Sequence, residues 1–202
     1  MSGGRPATFR FQGREYAYLE HWYNWASGNE RSVEVPIAQG LVDAWPRARV
    51  LEVGNVLGHY ANRWWECVDR YEVAPGVINE DILTFRSKAP YDLIVSVGTV
   101  EHVRFDEPVR ERGATVRVIT RLQGMLAAGG LLWVSVPLGY NLDVEEALAS
   151  SDLLATGVSF MVRISRWNEW RQCERRVAMR SYYDHPFPGG NAIAVIEKRG
   201  GE

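Results

Sequence analysis

Val50-Leu51-Glu52-Val53-Gly54-Asn55-Val56-Leu57-Gly58-His59-Tyr60 is the stretch that decides the fold. A short apolar run carries one acid, and two glycines four positions apart follow it. A buried parallel strand hands over in this way to a loop whose backbone comes close to a ligand. Gly54 permits a tight turn, and Gly58 permits close approach with no Cβ in the way. The loop is expected to open onto a helix from about Leu57 to Trp65, whose first N–H groups can hold a carboxylate or phosphate. An ordinary strand-to-helix turn competes with that reading, and the segments downstream decide between them.

Working outward, strands and helices alternate. Glu66 to Asp69 reads as a short strand ending in an acid, Gly76 to Asn79 as one closed by Glu80-Asp81, and Tyr91 to Val97 as a strand apolar enough to be buried on both faces. Arg112 to Leu126 is amphipathic, with Val116, Ile119, Leu122 and Leu126 at spacings of three and four, and Gly129-Gly130 is expected to stop it. Leu131 to Val136 is the fifth strand, Asp143 to Ser150 a helix, and Ser159 to Ile164 with Ala192 to Glu197 a final pair, antiparallel at one edge. Upstream, Glu15 to Ala26 is expected to be helical and aromatic-rich. Pro36 suits the first turn of a second helix running to Trp45. The expectation is an α/β fold, a doubly wound and mainly parallel seven-stranded sheet. The chain reads as one domain, with a helical lid segment over 1–46, a ligand-binding core over 49–137 and a substrate-side insert with final strands over 138–202.

Composition narrows the class. The 202 residues are 46% hydrophobic and 24% charged with a net charge of −2, which gives no reason to expect nucleic acid or an anionic membrane as partner. Cys67 and Cys173 lie far apart without metal-ligand spacing and read as reduced thiols. The polar start and the lack of roughly 18 uninterrupted apolar residues lead to a cytoplasmic expectation without a membrane span.

Glu52-Val53-Gly54-Asn55-Val56-Leu57-Gly58, Val68-Asp69, Asn79-Glu80-Asp81-Ile82, Tyr91 to Val97 with Thr99-Val100-Glu101-His102-Val103, and Ala127 to Leu132 all fall at strand ends in this order. The set resembles the class I S-adenosylmethionine-dependent methyltransferases over about residues 49–137. The resemblance implies that Glu52, Gly54, Asn55 and Gly58 line the methionine end of S-adenosylmethionine. It implies that Asp69 accepts from both ribose hydroxyls. Asp81 and Ile82 would meet the adenine, and Val97 and Gly98 the methionine amino group. S-adenosylhomocysteine would be the product. The family's middle loop glycine is Val56 here, which puts the local path of the loop in question. A nicotinamide fold wants Gly-x-Gly-x-x-Gly, which the gap from Gly54 to Gly58 does not supply. Glu30 to Glu34, Val68 to Glu72, Val77 to Asp81 and Pro137 to Asn141 further resemble a bacterial subgroup associated with glycan biosynthesis.

Methyl transfer to an alcohol needs alignment and a base. His102 is the first candidate base, against a histidine that packs beside the next helix, and His59 is the second. His21 and Trp22 in the lid segment, Asp106 near His102, and Tyr140 and Asn141 beyond the fifth strand are the candidate substrate contacts. His102, Asp106 and Glu107 could also hold a divalent ion such as magnesium. Trp22, Trp25, Trp167 and Trp170 offer flat platforms for sugar rings, with plain packing as the competing role. Arg163, Arg166, Arg171, Arg175, Arg176 and Arg180 read as a solvated basic face, or as contacts to an acidic substrate. The expected partners are a small-molecule or oligosaccharide acceptor and, for assembly, a second copy in a homodimer. An amine acceptor and a catalytically inactive scaffold remain the alternatives.

Overall fold

The computed structural model describes residues 5–150 and 157–201, so the part of the 138–202 insert at 151–156 lies outside the described residues. Its sheet is built from β3 (Val50–Val53), β4 (Glu66–Val68), β5 (Val77–Ile78), β6 (Tyr91–Val97), β7 (Leu126–Pro137), β8 (Gly157–Arg163), β9 (Trp170–Cys173) and β10 (Ala192–Arg199). The spatial order is β5-β4-β3-β6-β7-β10-β8-β9. Strands β3 to β7 run parallel, whereas β10 lies antiparallel between β7 and β8. The chain leaves β3 toward β5 and then returns to the other side through β6, so a crevice opens between β3 and β6 at their C-terminal ends. The doubly wound, mainly parallel architecture is as expected. The sheet has eight strands rather than seven because β9 continues the antiparallel edge through its pairing with β8.

Strands β3 and β6 are mainly apolar and buried on both faces, as their position demands, with Glu52 the charged residue inside β3. Helix α1 (Arg31–Ala44) covers one face with Val33, Ile37, Ala38 and Val42, packed in a cluster with Val95, Trp133 and Ile193. Helices α2 (Ala114–Gln123) and α3 (Leu142–Ala149) cover the other, where Ile119, Leu122 and Leu148 meet Leu51, Ile94 and Leu132. A short α4 (Arg175–Ala178) follows β9.

Four expectations need correcting. Residues 15–26 are not a helix. They supply β2 (Arg14–Ala17), which pairs with β1 (Thr8–Phe11) across Gln12 and Gly13, both at positive φ, and then a 3-10 segment over Tyr23–Gly28. Phe9 and Phe11 alternate inward from β1, a period of two that helical reading overlooks. Second, α1 begins at Arg31, with Pro36 in its interior. Pro36 has no N–H to give to the Ser32 carbonyl, and the Leu19 N–H takes that acceptor instead at 3.0 Å. Third, no helix runs from Leu57 to Trp65. A single 3-10 turn, Leu57–His59, is followed by irregular chain. Fourth, α2 stops at Gln123, and Gly129-Gly130 lies inside β7, where a register shift against β6 absorbs the extra residues.

Candidate active site

The loops after β3, β4, β5 and β6 enclose a cavity of about 300 Å³ whose walls include Gly54, Asp69, Asp81, Ile82, Thr99 and His102. A second cavity of about 170 Å³ shares Asp69 with it and is walled by Tyr23, Arg31, Asn55, His59 and Tyr60.

Glu52 shapes the loop between them. It is fully buried, and Oε1 accepts from the N–H groups of Val56 (2.8 Å) and Leu57 (2.5 Å), while Oε2 accepts from the Trp65 indole at 2.7 Å. Burial pushes its carboxyl up, and those three donors work against the shift. The N–H groups expected to be free for a ligand are therefore held by Glu52, and the Trp65 contact folds residues 57–65 back on the strand. Gly54 sits at φ +83°, and a Cβ there would stand 2.2 Å from Thr99 Oγ1. A Cβ on Gly58 would stand 2.4 Å from Asn55 Oδ1, which accepts from Arg63 at 2.5 Å. Val56 has φ −96°, an ordinary value for an L-residue, so valine at this loop position carries no strain.

Asp69 Oδ1 accepts from the N–H groups of Tyr71 and Glu72 at 2.8 Å, and Oδ2 from that of Asn55 at 3.1 Å. Asp81 is more committed than expected: it accepts from the Leu83 N–H at 2.9 Å and pairs with Arg104 at 2.5 Å and Arg70 at 3.3 Å. Burial alone would raise its carboxyl, but the Leu83 N–H and the two guanidiniums outweigh this and hold it below the usual range. Ile82 lies buried in the cavity wall. Val97 is fully buried inside β6, while Gly98 follows at φ +43° with its carbonyl accepting from Arg31 at 3.0 Å.

On the opposite wall, His102 Nδ1 lies 2.6 Å from Asp106 and 3.1 Å from the Tyr140 hydroxyl, which itself donates to Asp106 at 2.7 Å. Nε2 lies 3.5 Å from Glu101 Oε1. The Tyr140 hydroxyl is raised by burial and then by its bond to Asp106, and Tyr183 packs edge-on against its ring. His59 belongs to a different group. Its ring stacks on Tyr23 at 4.2 Å, and Nε2 meets Glu72 at 2.9 Å and the Tyr23 hydroxyl at 3.2 Å. His21 reaches that group through an edge-on contact with Tyr60 at 5.1 Å. The structure thus brings His102, Asp106 and Tyr140 together and sets His59 and His21 apart from them.

Two substrate candidates stand elsewhere. Asn141 is 2% exposed, caps α3 through the Asp143 N–H and donates to the Glu101 carbonyl at 2.7 Å, which fixes the turn that carries Glu101 and His102. Trp22 is 82% exposed and walls neither cavity. Among the described residues no group of three or more His, Cys, Asp or Glu stands close enough to hold a metal ion. The expected magnesium ligands are spent on other partners, Asp106 on His102 and Tyr140, and Glu107 on Arg70 and Arg104. Arg163 is spent on the carbonyls of Ser165, Arg166 and Pro188. Among the described residues no helix is long and apolar enough to cross a membrane.

Sequence reasoning missed Arg31, Glu34, Glu101 and Tyr183 as parts of this region. Arg31 and Glu34 lie in the quoted Glu30 to Glu34 segment, and Glu101 is the neighbour of His102. Only the docking of α1 against Gly98 brings them together.

No family model matches the chain, and no curated protein matches it. Solved structures to which it is similar include the N-methyltransferase NodS from Bradyrhizobium japonicum in complex with S-adenosyl-l-homocysteine, at 14% identity over 86% of this chain and 92% of that one, with a TM-score of 0.46. A possible histamine N-methyltransferase from Thermotoga maritima is similar at 16% identity over 80% and 86%, with a TM-score of 0.48. TehB from Haemophilus influenzae is similar at 12% identity over 82% and 63%, with a TM-score of 0.44.

Proposed function

We propose that the chain is an S-adenosylmethionine-dependent methyltransferase acting on a hydroxyl of a carbohydrate or related small molecule. One observation carries the reading. The loops after β3, β4 and β5 bring Gly54, Asp69 and Ile82 to one wall of a crevice at the sheet's switch point, and the loop after β6 brings an Asp-oriented histidine to the other. The residues fit the cofactor. Asp69 is kept in place by three backbone N–H groups and walls both cavities, and Oδ2, which among the described residues takes only the Asn55 N–H, keeps an acceptor site for a ribose hydroxyl. Ile82 offers an apolar face to the adenine, and Arg31 at the methionine end suits a carboxylate.

When bound, S-adenosylmethionine supplies a methyl group made electrophilic by its sulfonium. Asp106 accepts from His102 Nδ1–H, an assignment made from the hydrogen bonding, and this leaves Nε2 with the free lone pair. Nε2 then takes the proton of the acceptor hydroxyl as its oxygen attacks. Tyr23 and Tyr60 wall the smaller cavity from the lid side. Carbohydrate as the acceptor class rests on the subgroup resemblance and on the exposed Trp22 and Trp25 beside the lid. A second reading, an amine acceptor, is favoured by the Glu101 carboxyl beside His102.

Calorimetric titration with S-adenosylmethionine, S-adenosylhomocysteine and NAD tests the cofactor. Micromolar binding of the two sulfur nucleotides and none of NAD is expected. Absence of binding by both sulfur nucleotides would overturn the reading and leave the scaffold alternative.

A further inference from the structure

Three loops meet at the solvent side of the larger cavity in a closed ring of alternating charge. Arg104, from the loop after β6, donates to Asp81 Oδ2 at 2.5 Å and to Glu107 Oε1 at 2.7 Å. Arg70, from the loop after β4, donates to the same Glu107 oxygen at 2.6 Å and stands 3.3 Å from the same Asp81 oxygen. The Tyr71 hydroxyl adds a third donor to Glu107 Oε1 at 3.2 Å. Asp81, Arg70, Tyr71 and Glu107 all wall the cavity, and the buried Ile82 walls it next to Asp81.

Arg104 holds its place in a costly conformation. Its backbone lies at φ +60°, which a residue other than glycine keeps only where its surroundings impose it. The Arg104 carbonyl accepts from the Glu111 N–H at 3.1 Å, and its guanidinium stands 3.4 Å from Glu111 Oε1. What the conformation achieves is one guanidinium set between Asp81 and Glu107.

Asp81 is thereby left with one way to meet a ligand. Oδ2 holds both guanidiniums, and Oδ1 holds the Leu83 N–H at 2.9 Å. A carboxylate oxygen has two acceptor positions, so among the described residues Oδ1 keeps one of its own. With Oδ2 anchored, the two oxygens cannot exchange places. Burial would raise the carboxyl, but the Leu83 N–H and the guanidiniums hold it low, so it accepts and does not donate. Such a group pairs with an N–H and repels a carbonyl.

We propose that Arg104 is a positioning residue for base recognition: by fixing Asp81 Oδ2 it leaves Oδ1 as a single acceptor for the exocyclic amine of the cofactor's adenine, and the site refuses a purine with a carbonyl at that position. This rests on the cofactor reading above.

The test is calorimetry of the full chain with S-adenosylhomocysteine and with S-inosylhomocysteine, its deaminated analogue, in which a carbonyl replaces the amine. The wild-type chain is expected to favour the adenine compound by roughly 10- to 100-fold. In Asp81→Asn, whose amide can turn an N–H toward the carbonyl, the preference should vanish or reverse. In Arg104→Met, which keeps the length and removes the guanidinium, the ratio of the two affinities should fall by roughly fivefold or more. Arg104→Gln carries the same expectation where Arg104→Met does not fold. A wild-type chain that binds both compounds alike overturns the inference without need of a variant. So does an Arg104 variant that weakens both by one factor and keeps the wild-type ratio, since that is the mark of a residue that only supports the loop. If neither compound binds, the cofactor reading fails and takes this inference with it, a result distinct from binding of both with equal affinity.

Discussion

At the scale of the residue, Gly54 and Asp69 carry the crevice. Gly54→Ala would place a methyl group 2.2 Å from Thr99 Oγ1 and hold an L-residue at φ +83°. The backbone term alone costs about 1–2 kcal/mol, so thermal unfolding should show at least that loss. Adding Thr99→Ala should recover only part of the steric loss, since its Cβ still stands 2.8 Å from the added methyl, and should leave the backbone part. Asp69→Ala removes the acceptor of three loop N–H groups as well as the ribose ligand. Cofactor affinity measured by calorimetry should fall by about 2 kcal/mol or more, and unchanged affinity would remove the ribose assignment. His102→Ala should lower turnover roughly 100-fold while leaving cofactor affinity alone, and a near-normal rate would move the base elsewhere. The motifs made Asp69 and His102 legible because each sits at a strand end that can be read from the apolar run before it. The partners of His102 were partly legible, since Asp106 is four residues away and Tyr140 was expected in the same crevice. Glu101 and Arg31 were not, because their meeting depends on how α1 lies across the sheet.

At the scale of the element, α1 shows how tertiary contacts alter a local preference. In an isolated helix, replacing an interior proline with alanine gains about 3 kcal/mol. In this chain the carbonyl that Pro36 leaves free already accepts from Leu19. Pro36→Ala should therefore gain under about 1 kcal/mol, the scale of one net hydrogen bond, in urea denaturation. A full gain would mean that the Leu19 contact is dispensable. The parallel strands were readable because burial on both faces demands continuous apolar runs, as in Tyr91–Val97. The segment after Gly58 was misread because its fate rests on Glu52 and Trp65, thirteen positions apart, which bind each other at 2.7 Å. The β1–β2 hairpin is hard to read because the aromatic density of 15–26 suggests a helix, while the two-residue period of Phe9 and Phe11 lies upstream of it.

At the scale of the whole molecule, titration sets how stability depends on pH. Burial gives Glu34 and Glu101 folded values above the ordinary 4.5, so their contribution is full below 4.5 and is lost as pH rises, for Glu34 through about 7 and for Glu101 beyond it. Asp81 and Glu107 have the opposite sign: their contribution is present above the ordinary carboxylate values and is lost on acidification. The melting temperature of the ligand-free protein should therefore fall between about pH 5 and about pH 8, and Glu34→Gln with Glu101→Gln should flatten that slope. A melting temperature that rises over this range would contradict the burial of the two acids. The position of β10 has a consequence for the order in which the chain is made. Since β10 lies between β7 and β8, strands β8 and β9 join the sheet only through a strand synthesised after both of them. Until it emerges, Leu131 to Val136 present a bare, apolar sheet edge, the kind that invites pairing with other chains. At about 5–20 residues per second the exposure is brief. Slow codons placed across 174–191 would prolong it, and nascent chains should then aggregate although the finished protein is unchanged.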